Sequence, residues 1–146
     1  METIGRKEMG RKYARESTMK LLYQMEVNLD FSDEAIGIFF ENYTFDSGEK
    51  LYIENAIETI IENMEDIDNY IAENIEAWEI HRLARVDLSI LRIAIYEMLY
   101  RKDIPIEVSI NEAIEISKKY STEESSKFIN GVLGGFVRSG ILDSGR

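Results

Sequence analysis

The strongest constraint on the fold is a run of apolar residues that recur every three or four positions in the middle of the chain. The run consists of Ile53, Ala56, Ile57, Ile60, Ile61, Met64, Ile67 and Ile71. Such spacing places all of these side chains on one face of an α-helix, while acids such as Glu54 and Glu58 fall on its outer face. The pattern therefore predicts one long amphipathic helix over residues 49–71.

A second stretch, residues 88–101, is apolar on nearly every side, which is typical of a helix at the centre of a bundle. Asp87 is predicted as its N-cap. Other helices are predicted over residues 11–27, 34–42, 71–77 and 107–119. A last helix is predicted to begin at a capping box formed by Ser121 and Glu124. The long helix over residues 49–71 is predicted to follow a turn at Asp46-Ser47-Gly48, with Ser47 as its candidate cap.

No segment predicts a strand, and the single proline, Pro105, falls between two predicted helices. The sequence therefore predicts an all-α fold, a compact single domain over residues 1–146 with about seven helices. Residues 1–10 are expected to form a flexible basic tail and residues 140–146 a second flexible tail. Gly134 and Gly135 predict a bend or fraying in the last helix, because glycine costs about 1 kcal/mol relative to alanine there.

The charge of the chain is unevenly distributed around a net value of −11. Residues 1–20 hold six basic and three acidic side chains, residues 21–100 hold four and eighteen, and residues 101–146 hold seven of each. A basic end joined to an acidic body indicates two kinds of partner with opposite charge.

Most catalytic and metal-binding classes lack their residues in this sequence. There is no cysteine, no glycine-rich phosphate loop and only one histidine, His81, which is most simply an ordinary helix or loop residue. The acids are more simply a solvated face than hidden catalytic pairs. No signal peptide or membrane span is predicted. We expect no enzyme activity and no cofactor, and a cytoplasmic location.

The first helix carries a possible contact surface for RNA. Lys12, Arg15, Met19 and Tyr23 share one face of the predicted helix, with Arg11 beside them. Cations attract phosphates and an aromatic ring stacks on an unpaired base. Spacing alone leaves a solvated helix end with a tyrosine at the edge of the core as the simpler interpretation.

Several longer blocks of sequence carry a family resemblance that covers nearly the whole chain. They are ARE at 14–16, LLYQ at 21–24, LRIAIYEM at 91–98, INEAIEI at 110–116 and KFINGVL at 127–133. In these blocks, taken in this order, the chain resembles the NusB family of bacterial transcription antitermination factors. The resemblance implies a bundle of about seven helices that acts on ribosomal RNA operons within the transcription elongation complex. It also implies binding to single-stranded boxA RNA together with the ribosomal protein NusE.

The resemblance also implies site residues. Those implied for RNA binding are Arg11, Lys12, Arg15, Tyr23, Arg92, Glu124, Lys127 and Phe128. The resemblance also implies that Asp87 belongs to the surface that binds the partner NusE. Two positions depart from the family pattern: Tyr13 stands where a basic residue is common, and Gly134-Gly135 replaces a usual acidic residue and its neighbour.

Two other interpretations stay open at this point. In the first, the chain is an acidic helical adaptor that binds proteins without direct RNA contact. In the second, it is a homodimer whose interface hides the RNA face. A third interpretation, an RNA-modifying enzyme of the kind to which NusB-like domains are fused, needs a nucleophilic cysteine that the sequence lacks.

Overall fold

A computed structural model describes the backbone of residues 2–143 and the side chains of residues 10–76 and 79–143. Within these residues the chain forms seven α-helices and one 3-10 helix, and it forms no strand. The helices are α1 (Glu2–Asn28), α2 (Asp33–Asn42), α3 (Ser47–Glu62), α4 (Met64–Glu73), the 3-10 helix (Ala77–Arg82), α5 (Arg85–Tyr100), α6 (Ile106–Tyr120) and α7 (Glu123–Arg138). The predicted all-α fold of about seven helices is confirmed.

The centre of the bundle is α5, as its composition predicts. Residues 87–98 are all buried, and α5 packs against α1, α3, α4, α6 and α7. Burial of such a helix stabilises the fold, because apolar surface leaves water on every side of it. No helix within residues 2–143 is both long and apolar enough to cross a membrane.

The long helix predicted over residues 49–71 is wrong in one respect, because it is divided at Asn63. There the backbone leaves helical geometry, with φ −117° and ψ 20°. The side-chain amide of Asn63 donates to the carbonyl of Thr59 at 2.8 Å, an alternative that asparagine offers the backbone. Ile60 and Ile67, on either side of the break, are both fully buried. The apolar residues therefore face the core on both sides of Asn63, although the helix is interrupted there. The short helix predicted over residues 71–77 does not form as a separate element, because residues 71–73 end α4 and the 3-10 helix begins only at Ala77.

The predicted N-caps of α5 and α7 are also wrong. Asp87 lies inside α5, whose N-cap is Ala84, and α7 is capped by Thr122 and not by Ser121. The Thr122 side chain accepts the N–H of Ser125 at 3.0 Å. Asp87 and Ser121 are residue types that often cap helices, but here their side chains hydrogen-bond to each other across 34 positions. Local sequence does not reveal this long-range bond, so it predicted caps at both positions.

Two helices begin earlier than the sequence predicts. Asp46, rather than Ser47, caps α3, and its side chain and that of Glu49 form a reciprocal capping box. The first helix begins at Glu2 rather than near Arg11. The side chains of residues 1–9 and the whole of residues 144–146 lie outside the described residues, so the flexible tails stay a prediction.

The fraying predicted at Gly134-Gly135 is wrong, since α7 continues to Arg138, while the predicted bend stays a prediction. A methyl group added to Gly135 would overlap Oδ1 of Asn74, the residue that ends α4. Glycine therefore permits a close approach between α7 and the end of α4, and the packing of the two helices outweighs its low helix propensity.

We expect Gly135→Ala to lower the free energy of unfolding by about 1–3 kcal/mol, because the added methyl overpacks the contact with Asn74. Gly131→Ala is the matched control: nothing lies within 4 Å of its added methyl, so it should stabilise α7 by up to about 1 kcal/mol. Urea unfolding measures both. Adding Asn74→Ala to Gly135→Ala should recover most of the loss, and a Gly135→Ala variant as stable as Gly131→Ala would contradict the close approach.

Candidate nucleic-acid interface

Three of the predicted side chains of α1 are open to solvent. Arg11 is half-buried, with its guanidinium carbon 5.3 Å from the centre of the Tyr52 ring. Lys12 keeps 52% of its side chain exposed and pairs with Glu112 of α6 at 2.9 Å. Tyr23 is 39% exposed. These side chains are accessible to a ligand that approaches α1.

Arg15 lies elsewhere, because it is buried in the core with 4% exposure. Its Nε and Nη2 donate to the two carboxylate oxygens of Glu97 at 2.7 and 3.3 Å. Burial alone would lower the pKa of Arg15, but the hydrogen bond and charge of Glu97 raise it. The prediction that Lys12, Arg15, Met19 and Tyr23 share a solvent face is wrong, since the middle of this stripe turns toward α5 and α6.

The carboxylate of Glu97 is the centre of a buried network that joins four helices. Besides Arg15 of α1, it accepts hydrogen bonds from Ser109 of α6 at 2.8 Å and from the hydroxyl of Tyr52 of α3. Burial and the charge of Glu97 raise the pKa of Tyr52 well above its ordinary value. This network was not predicted from the sequence, although a carboxylate among the apolar residues 93–99 was a signal that a cation must reach it.

Arg92 is also buried, with 3% exposure. Its Nε and Nη2 donate to Asp68 of α4, both at 2.8 Å, and its Nη1 donates to Glu26 of α1 at 2.9 Å. Burial lowers the pKa of Arg92, but the hydrogen bonds and charges of Asp68 and Glu26 outweigh it and the pKa is raised. The guanidinium therefore connects three helices and is not open to a phosphate.

Asp87 is buried at the start of α5, with 6% exposure. One carboxylate oxygen accepts the hydroxyl of Ser121 at 2.8 Å and the other accepts the hydroxyl of Ser125 at 2.7 Å. Both oxygens are engaged within the chain. The residue thus anchors the corner between α6 and α7 and orients the first turn of α7.

The first turns of α7 carry a second group of candidate RNA-binding residues, the α7 patch, formed by Glu124, Lys127 and Phe128. Glu124 and Lys127 are exposed, and Phe128 is half-buried against the core. Their spacing of three and four places them on one side of α7. The side chain of Phe128 therefore belongs partly to the core and partly to the surface.

The end of α6 contacts α1 just before α7 begins. Tyr120, three residues before α7 begins, donates to Glu16 of α1 at 2.9 Å, and its ring lies 5.4 Å from Nζ of Lys20. Lys119 pairs with Glu16 at 3.0 Å. The end of α6, from which the chain passes into α7, is thus held against the middle of α1.

Comparison with known proteins places the chain in a family. The model of the NusB family matches residues 12–138. Transcription antitermination protein NusB of Acetivibrio thermocellus is 43% identical over 136 residues, which cover 93% of this chain and 94% of that protein.

Solved structures agree with this assignment. NusB of T. maritima is 42% identical with a TM-score of 0.80, over 88% of this chain and 90% of that one. A crystal structure of the antitermination factors NusB and NusE in complex with dsRNA gives 25% identity and a TM-score of 0.79, over 90% of this chain and 98% of that one. The chain belongs to the NusB family.

Proposed function

We propose that this protein is a transcription antitermination factor that binds single-stranded boxA RNA of ribosomal RNA operons together with NusE. The observation that carries the proposal is that open cationic and aromatic side chains lie on α1 and on the first turns of α7, and that the end of α6, which leads into α7, is held against Glu16 and Lys20 of α1. Support also comes from its relatives, which are antitermination proteins, and from the related structure of NusB and NusE in complex with dsRNA.

In this proposal the exposed side chains divide the recognition of RNA between them. Arg11, Lys12 and Lys127 attract phosphates, while Tyr23 and Phe128 offer rings on which unpaired bases stack. Glu124 offers a carboxylate that accepts hydrogen bonds from base amino groups. Each group is at least partly exposed in the folded chain.

Arg15, Arg92 and Asp87 take a different part from the one that the resemblance implies. Their charged groups are already engaged by Glu97, by Asp68 with Glu26, and by two serine hydroxyls, respectively. Because a direct contact would break these bonds in a buried setting, we assign all three to positioning. They hold α1, α5 and α7 in the arrangement that presents the open side chains.

The charge distribution favours a shared RNA site over an independent one. The amino-terminal segment has a small positive excess and the body is acidic, so RNA bound to this chain alone releases few counterions. The acidic body attracts a basic protein partner and repels RNA elsewhere. RNA that spans both proteins gains affinity from two linked weak sites, which holds it in the transcription elongation complex.

The test is the salt dependence of the affinity for boxA RNA, measured by fluorescence anisotropy with and without NusE. Arg11→Ala, Lys12→Ala and Lys127→Ala should each reduce the slope of log K against log salt by about 0.7, the loss of one phosphate contact to a single strand. Lys50→Ala, which removes an exposed lysine of α3, is the control. Slopes equal to that of the control would contradict the RNA surface, and unchanged affinity with NusE would contradict the shared site.

A further inference from the structure

A groove of about 440 Å³ lies between α1 and the corner at which the chain passes from α5 to α6. Arg11 and Lys12 line the side formed by α1, and Ile104, Pro105 and Val108 line the side formed by the corner. The volume falls within the range of about 300–1,000 Å³ that is usual for small-ligand sites. The corner has no part in the RNA surface described above.

The wall of the groove opposite α1 is apolar and partly open. Pro105 is exposed and Val108 is 37% exposed, while Ile104 is buried behind them. A flat, weakly polar group gains free energy by leaving water to lie on such a wall. Nucleobases are groups of this kind, and proteins hold unstacked bases between aromatic or apolar side chains.

The polar groups of the groove carry both signs of charge. The ammonium of Lys12 lies 2.9 Å from Oε1 of Glu112, which also lines the groove. Asp103, the other acid of the lining, accepts two hydrogen bonds from Arg101, which lower the pKa of its carboxyl. The cations suit a phosphate and the carboxylates suit the amino group of a base. A simple anion would interact favourably with the two cations, Arg11 and Lys12, but not with the two carboxylates.

We infer that this groove binds one nucleotide of the single-stranded RNA, an inference that rests on the proposed function. Its phosphate lies against Arg11 and Lys12, and its base lies on Pro105 and Val108 with an amino group toward Glu112. Adenine, cytosine and guanine carry such an amino group and uracil does not, so the groove disfavours uracil.

The groove is separate from the patch on α7. Val108 and Tyr120 are twelve residues apart in α6, which corresponds to about 18 Å along the helix. The groove therefore lies toward the end of α6 opposite to the one that precedes α7, and none of the residues that line it belongs to α7. The two contacts together give the RNA a direction along α6.

The experiment compares Val108→Glu with Ile38→Glu in complexes with NusE. Ile38 of α2 is 50% exposed and is not part of the groove, so the second variant makes the same change of charge elsewhere. Affinity for a short boxA RNA is measured by fluorescence anisotropy, with a series of RNAs that each carry one abasic position. We expect Val108→Glu to weaken binding about tenfold, within the range found for loss of one base contact, and Ile38→Glu to leave it unchanged within a factor of two.

The abasic series identifies the nucleotide. One position should weaken binding to the wild-type chain and have no further effect on Val108→Glu, and uracil at that position should bind more weakly than cytosine. In the wild-type protein, the methyl NMR signals of Val108 should shift on addition of RNA while those of Ile38 do not, a readout that needs no variant.

Equal affinities of the two glutamate variants, or an abasic series without a position coupled to Val108, would overturn the groove assignment and leave the proposed function intact. Absence of RNA binding by the wild-type chain with NusE would overturn both.

Discussion

Arg15→Met is expected to lower the free energy of unfolding by about 4 kcal/mol, since removal of one partner leaves a buried charge without its counter-ion. Glu97 is 1% exposed and would keep only the hydroxyls of Tyr52 and Ser109. For a chain of this length, the loss corresponds to a fall of about 12 °C in Tm. Urea unfolding and calorimetry measure it.

Lys12→Met provides the matched control, because it removes a salt bridge of similar length from the same helix. The N–O distances are 2.9 Å for Lys12 with Glu112 and 2.7 Å for Arg15 with Glu97, but the side chain of Lys12 is 52% exposed against 5% for Arg15. Solvent screens the exposed pair, so its loss should cost about 0.5 kcal/mol. Similar losses for the two variants would show that burial is not what makes the Arg15 pair important.

A double-mutant cycle tests the network itself. Glu97→Gln alone should also be destabilising, because it leaves Arg15 buried without an anion. The variant with both Arg15→Met and Glu97→Gln should lose less than the two single changes added together, since neither charge is then left alone. Strict additivity would mean that the two side chains are not energetically coupled.

Arg92→Met is expected to lower the free energy of unfolding by about 2–3 kcal/mol. The loss is smaller than that for Arg15 because the side chains of Glu26 and Asp68 are 16% and 26% exposed and regain some hydration. The variant should also leave the salt slope of RNA binding unchanged, because Arg92 is assigned to positioning. A slope reduced by about 0.7, as expected for Lys12→Ala, would instead show that Arg92 contacts a phosphate directly.

Arg85→Met is the control for this second prediction. Arg85 lies on the same helix and shares the partner Glu26, but at 3.8 Å and with 40% of its side chain exposed. Its removal should change the free energy of unfolding by about 0.5 kcal/mol or less. Equal effects of the two changes would contradict the role of Arg92 in joining α4 and α1 to α5.

The fold was largely predictable from local patterns. The periodic run from Ile53 to Ile71 and the apolar stretch from Leu88 onward both correspond to helices, because helical faces depend on residues three and four positions apart. The errors fall at helix ends: Asn63 divides one predicted helix, and Asp87 and Ser121 are not the caps that their types suggest. At each of these positions the side chain had more than one available bonding partner, so its type did not determine its role.

The candidate site was predictable only in part. Sequence and resemblance identified the cationic and aromatic residues of α1 and α7, but they did not separate the exposed Lys12 from the buried Arg15, three positions away. They also did not indicate the groove at Pro105 and Val108, since its two walls come from distant parts of the chain.

The sequence by itself determined the helical class, the central position of α5 and the contrast between a basic end and an acidic body, because periodicity and charge are properties of neighbouring residues. Only the tertiary structure decided which cations remain free for RNA. Arg15 meets Glu97 across 82 positions and Arg92 meets Glu26 across 66. Such pairs form when helices pack, and the buried carboxylates then retain these two arginines because an unpaired charge in the core is too costly.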